Sequence, residues 1–149
     1  MKKMITTEID KRFEEIKNMV WSLAGSKALI FRNMMTYAKV VVPLENVQQI
    51  YAKNLYNHDD EVLREFYYFT EDDIYIIKSD DTDMKVQVVK KEKVKDIQLT
   101  IIEGHEEKVR LNIEFSNGVK MELSSLNDSN ENWIDSYRDD IMRIYKRYA

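Results

Sequence analysis

The chain has 149 residues, with 23 Lys/Arg against 27 Asp/Glu, a formal charge of −4 and no cysteine. That length supports one well-buried core rather than two, and the missing thiols exclude disulfides, thiolate metal ligands, Cys nucleophiles and thiol redox switching, which suits a reducing compartment. Three Gly, one Pro and 44% hydrophobic residues argue against disorder, and the acidic balance disfavours general binding to phosphate backbones, so no specific nucleic-acid partner is expected.

The basic start at Lys2 and Lys3 lacks the run of about 7–15 apolar residues that a signal peptide needs. The most apolar stretches, residues 28–31 and 40–44, fall far short of the roughly 20 residues that span a bilayer. A cytoplasmic location is expected. Charge is uneven along the chain: residues 1–60 carry nine Lys/Arg against seven Asp/Glu, and residues 61–149 fourteen against twenty.

Ile5, Ile9, Phe13, Ile16, Val20 and Leu23 recur at helical spacing and predict an amphipathic helix over residues 7–23. Thr7 is placed to cap it with Asp10 three residues on, and Gly25 to end it. In residues 26–42, Leu29, Ile30, Met34, Ala38 and Val41 fit a second helix, although residues 39–42 would also suit a short strand; Pro43 ends either one. Leu44, Val47, Ile50, Tyr51 and Leu55 then predict a further helix to about residue 56, with a strand over residues 49–56 as the alternative. Residues 1–57 thus read as a mainly helical N-terminal extension.

The polar run 57–61 hands over to a strand-rich part. Residues 66–69 and 74–78 are rich in aromatic and β-branched residues and flank the turn 70–73. Met84, Val86 and Val88, and then Ile97, Leu99 and Ile101, alternate with polar residues as half-buried strands do. Val109, Leu111, Ile113 and Phe115 alternate before Ser116-Asn117-Gly118, and Val119, Met121 and Leu123 alternate after it. A two-residue Asn-Gly turn would pair Phe115 with Lys120 and mix the faces. A three-residue loop pairs Phe115 with Val119 and puts Gly118 at positive φ. Asp128 and Glu131 have capping-box spacing ahead of Trp133, Tyr137, Ile141, Ile144 and Tyr148, an aromatic-rich stripe that predicts a C-terminal helix.

From about residue 66 the order is a meander of six or seven strands closed by one amphipathic helix. It resembles the pleckstrin-homology-like superfold, including its GRAM-type versions, through Phe69-Thr70-Glu71-Asp72-Asp73-Ile74-Tyr75-Ile76, through Lys93-Val94-Lys95-Asp96-Ile97, and through Leu111-Asn112-Ile113-Glu114-Phe115-Ser116-Asn117-Gly118 with the Trp133 helix. The resemblance implies a single α+β domain over residues 1–149: the helical extension, then over residues 58–149 a bent antiparallel sheet or partly open barrel with the C-terminal helix plugging one end. It also implies a groove between the last strands and that helix able to take a peptide. Lipid-binding members carry a basic loop between their first two strands, where this chain has Thr70-Glu71-Asp72-Asp73, which speaks against phosphoinositide binding. The whole chain also resembles a group of small proteins of unknown function from Gram-positive bacteria, a likeness that implies no activity.

His58-Asp59-Asp60-Glu61 holds metal-ligand and acid/base atoms, but four consecutive residues do not converge on one ion without a tight turn, and a solvated loop is the preferred reading. His105 reads as a loop tip, and residues 80–83 lack the Gly and distal Glu of a calcium loop. Lys90, Lys91, Lys93 and Lys95 form the one basic cluster of the acidic half. They are the candidate partner-binding residues, although a charged strand edge that blocks sheet association is the commoner reason for such a cluster. The first helix, with Lys2, Lys3, Lys11, Arg12 and Lys17 beside an apolar face ending near Val20 and Trp21, would suit a membrane surface, yet Glu8, Asp10, Glu14 and Glu15 dilute its charge and packing against the sheet or a second copy is favoured. No nucleophile elbow, phosphate loop or zinc motif occurs. The expectation is a non-enzymatic interaction module that binds a protein or itself and needs no cofactor, with a peripheral membrane or lipid-headgroup binder, or a small enzyme at the His58 loop, as alternatives.

Overall fold

The computed structural model describes residues 2–23, 28–55, 64–79, 83–90 and 93–149, with side chains from residue 11 onward. It is an α+β protein: two N-terminal helices, seven antiparallel strands in two sheets that do not close, and a C-terminal helix. Two compact units divide between the fourth and fifth strands.

The first unit opens with α1 (Lys2–Ser22) and α2 (Ala28–Val41). Helix α1 begins earlier than the capping pattern predicts, so Thr7 lies inside it rather than at its start; Gly25 lies outside the described residues. Ile16 and Val20 are buried as the spacing predicts, while Phe13 and Leu23 are only half-buried and Arg12 joins the core, ion-paired to Glu15 at 3.0 Å. Helix α2 packs through Ala28, Phe31, Met34, Met35 and Ala38. Its inner face is therefore rotated from the predicted stripe, and Leu29 and Val41 point outward.

After Pro43 the predicted helix to residue 56 does not form. A single 3-10 turn, Leu44–Asn46, leads into β1 (Gln49–Lys53), the alternative strand reading. Strand β1 is buried at Gln49, Ile50, Tyr51 and Ala52, on both faces, so it has no wet side to impose a two-residue period. It pairs with β2 (Glu65–Phe69), β2 with β3 (Asp73–Ser79), and β3 with β4 (Met84–Lys90), in the order β1-β2-β3-β4. Phe66, Tyr67, Tyr68 and Phe69 are all buried. Tyr67 meets Tyr51 edge-on at 6.1 Å and stacks on Phe69 at 6.4 Å, and the Arg64 guanidinium lies 4.6 Å from the Phe31 ring of α2.

The second unit is β5 (Val94–Ile102), β6 (His105–Phe115), β7 (Lys120–Ser124) and α3 (Ile134–Tyr148), with strand order β5-β6-β7. The hairpin register is the one the faces require: the Phe115 N–H donates to the Val119 carbonyl at 2.9 Å, Ile113 opposes Met121, Leu111 opposes Leu123, and Gly118 has φ +88°. Val109, Leu111, Ile113, Phe115, Met121 and Leu123 are buried and face Tyr137, Ile141 and Ile144 of α3, each 0% exposed. The helix starts at Ile134, later than the Asp128/Glu131 spacing predicts. Asn130 Oδ1 accepts from the backbone of Asn132 and Trp133 and caps the turn that precedes it.

Candidate interaction surfaces

Two of the four candidate lysines are paired with carboxylates. Lys90 ends β4, and its Nζ lies 3.3 Å from Asp73 Oδ1, its cross-strand partner on β3. Lys95 lies on β5 with its Nζ 3.6 Å from Glu114 of β6. Lys93 is exposed, and its carbonyl accepts from the Ser116 N–H at 2.9 Å. Lys91 lies outside the described residues. Such exposed pairs contribute about 0–1 kcal/mol each. Each also sets a carboxylate beside a lysine that a partner would otherwise meet alone.

The β2–β3 turn is acidic at its tip. Glu71 and Asp72 are exposed, and the turn is closed by Thr70, whose Oγ1 accepts from the Asp73 N–H at 3.0 Å. His58, Asp59, Asp60 and Glu61 lie outside the described residues, as do Asp80, Asp81 and Thr82. His105 is at the foot of β6 rather than on a loop tip: it opposes Ile102 across the Glu103-Gly104 turn, exposed, with Nδ1 3.7 Å from Glu107. Among the described residues no three His, Asp or Glu gather as a metal site would require.

The connection from β7 to α3 carries a buried polar cluster. Ser125, 0% exposed, donates its hydroxyl to the Glu107 carbonyl at 2.8 Å and accepts the Val109 N–H at 2.9 Å. Asp128, also buried, accepts the Ser124 N–H at 2.9 Å and returns its own N–H to the Ser124 carbonyl. These bonds satisfy groups that burial would otherwise leave without partners, which is a structural duty. The depression beside them, lined by Ile102, Lys108, Val109, Ser124 and Leu126 among others, has an accessible volume of about 20 Å³, room for little more than one water.

Two tyrosines titrate abnormally because they are buried. Tyr68 in the first unit has its hydroxyl pushed well above the ordinary value of 10.0, and Tyr148 in the second is pushed up to about 12, with the Arg147 charge opposing the rise. Tyr148 meets Phe115 edge-on at 5.5 Å.

The feature of the second unit that sequence reasoning foresaw only in part is its uncovered apolar margin. Strand β5 is an edge strand; among the described residues it pairs with β6 alone. Its inner residues Ile97, Leu99 and Ile101 oppose Ile113, Leu111 and Val109, so the dry face of the sheet continues onto β5. Helix α3 packs chiefly over β6. Ile97 and Leu99 are left half-buried, and Ile101 is 51% exposed. Register shifts at Val94/Asp96 and Ile101/Ile102 bracket a regular central run. Alternation revealed the dry face; only the packing revealed that the helix stops short of its edge.

The chain is thus a small α+β protein in which a helix pair joins a four-stranded sheet and a single helix covers a three-stranded one. It belongs to the family described as "Protein of unknown function (DUF3908)", whose model matches residues 12–139. Neither the curated proteins nor the solved structures give a match to it. No helix among the described residues is long and apolar enough to cross a membrane.

Proposed function

We propose that the protein is a non-enzymatic interaction module of pleckstrin-homology-like fold that takes an extended peptide along β5, beside α3. Four strands, then three, then a closing helix is the element order of that superfold, and this order supports the kinship. The observation that carries the binding reading is the margin at β5: an edge strand that among the described residues pairs with β6 alone, next to an apolar strip at Ile97, Leu99 and Ile101 that α3 covers only in part. A peptide added there would gain main-chain hydrogen bonds from the edge and set alternate apolar side chains against the strip. Paired lysines and the acidic Thr70–Asp73 turn favour a protein partner over a phosphoinositide headgroup.

The test is selection of binding peptides from a displayed random library on the purified protein, followed by NMR titration with the peptide recovered. Shifts should concentrate on the amides of residues 96–102 and on α3, and Ile101→Glu should weaken binding at least tenfold. Enriched peptides whose shifts map elsewhere, or a binding strength that Ile101→Glu leaves intact, would remove the reading.

A further inference from the structure

Helix α2 has two apolar faces, and among the described residues only one is buried. Opposite the buried Phe31, Met34, Met35 and Ala38 lie Leu29, 64% exposed, Tyr37 at 52%, Val40 at 79% and Val41 at 39%. Their spacing of eight, three and one keeps them within one sector of the helix surface. Trp21, at the end of α1 and 52% exposed, adjoins this row, because the Arg32 guanidinium lies 5.3 Å from its ring while donating to the Trp21 and Leu23 carbonyls. Nonpolar side chains exposed singly are ordinary; five together on one helix pair call for an occupant.

The charge around the row identifies that occupant. Residues 16–44 contain no Asp or Glu, although the chain has 27 of them, and they contain Lys17, Lys27, Arg32 and Lys39. Glu15 and Glu45 bound this acid-free run. Among the residues described with side chains, the outward row of α1 reads Lys11, Glu14, Asn18 and Trp21, with one carboxylate in it. A second copy of the chain would bring like charges together across an isologous contact. The row also offers roughly 500 Å² of surface from its exposed fractions, short of the ~800 Å² per partner that stable protein pairs bury. An anionic bilayer has neither difficulty: it attracts the lysines, accepts Leu and Val just below the headgroups, and holds Trp and Tyr at the boundary where one end is apolar and the other wet.

We propose that the outward face formed by Trp21, Leu29, Tyr37, Val40 and Val41 seats on an anionic membrane surface, with Lys17 and Lys39 drawn to the lipid phosphates. This differs from a membrane role for α1 itself, whose apolar side chains Ile16 and Val20 belong to the core. It is independent of the peptide reading, since it uses the other unit.

Co-sedimentation with vesicles of mixed phosphatidylcholine and phosphatidylserine tests it. The bound fraction should be high at low salt, at least tenfold lower on phosphatidylcholine alone, and at least tenfold lower for Leu29→Glu/Val40→Glu. Lys17→Glu/Lys39→Glu should lose most of the binding and its salt dependence, and Ile101→Glu should bind as the parent does. Circular dichroism melting checks that each variant is folded. In a Trp133→Phe chain, Trp21 fluorescence should shift to the blue with vesicles and be quenched by brominated lipid; should that chain not fold, the parent with both Trp serves. No pelleting at low salt, pelleting that the double Glu variant retains, or pelleting without quenching overturns the proposal.

Discussion

Strands β2 and β6 are both central, yet their burial differs. Strand β2 is buried at four successive aromatic residues, whereas β6 alternates dry Val109, Leu111, Ile113 and Phe115 with wetter Arg110, Asn112 and Glu114. A strand dry on both faces derives its specificity from shape, because every side chain must fit. A strand with one wet face derives it from register, since a slip of one residue would bury Arg110 and Glu114. The first unit should therefore be the more sensitive to lost volume, and the second to backbone geometry and to its polar ties.

The comparison is broken most readily by truncation at the dry strand. Phe66→Ala should cost about 3–5 kcal/mol and unfold much of the population at physiological temperature, as read by denaturant titration. In the second unit Ser125→Ala should cost about 1–3 kcal/mol, because the buried Val109 N–H loses its acceptor; an unchanged denaturation midpoint would mean that the tie carries no stability. Gly118→Val should lower the thermal midpoint by an amount corresponding to about 1–2 kcal/mol. The cost is purely conformational, since nothing lies within 4 Å of an added Cβ while φ is +88°.

Alkaline solution probes both units at once. The hydroxyls of Tyr68 and Tyr148 have folded pKa values raised above the unfolded 10.0. The unfolded chain therefore releases their protons first, and stability that is complete below pH 10 falls as pH climbs from 10 toward the folded values. Tyr148→Phe should flatten that fall in melts above pH 10 and change little at pH 7. The smallest effect belongs to the lysines: Lys90→Ala should alter stability by under about 1 kcal/mol, the pair with Asp73 being largely solvated.

How much of this was legible in the sequence follows the same division. Where one face is wet, alternation carried the information, and the β6–β7 hairpin followed from it down to the loop length and Gly118. Strand β1 resembled a helix because burial of Gln49 through Ala52 erased the two-residue period and left Leu44, Val47, Ile50 and Tyr51 at spacings a helix would also produce. Helix α2 was recognised but rotated: apolar residues lie on both sides of it, so periodicity could not say which side packs, and only the lack of acids across residues 16–44 hinted at a second surface. The lysine cluster was legible by sign alone. Asp73 and Glu114, which offset Lys90 and Lys95, are 17 and 19 residues away along the chain and become neighbours only through strand pairing.

Arg32 has a consequence for local opening. Its guanidinium reaches back from the second turn of α2 to the Trp21 and Leu23 carbonyls at the end of α1, tying that end to the body of the next helix. The two helices should consequently open together, as one cooperative segment in native-state hydrogen exchange, with protection at residues 20–23 collapsing to the level of an isolated helix end when the clasp is cut by Arg32→Met. A helix pair latched in this way presents a firm outer surface with little freedom left to lose on docking.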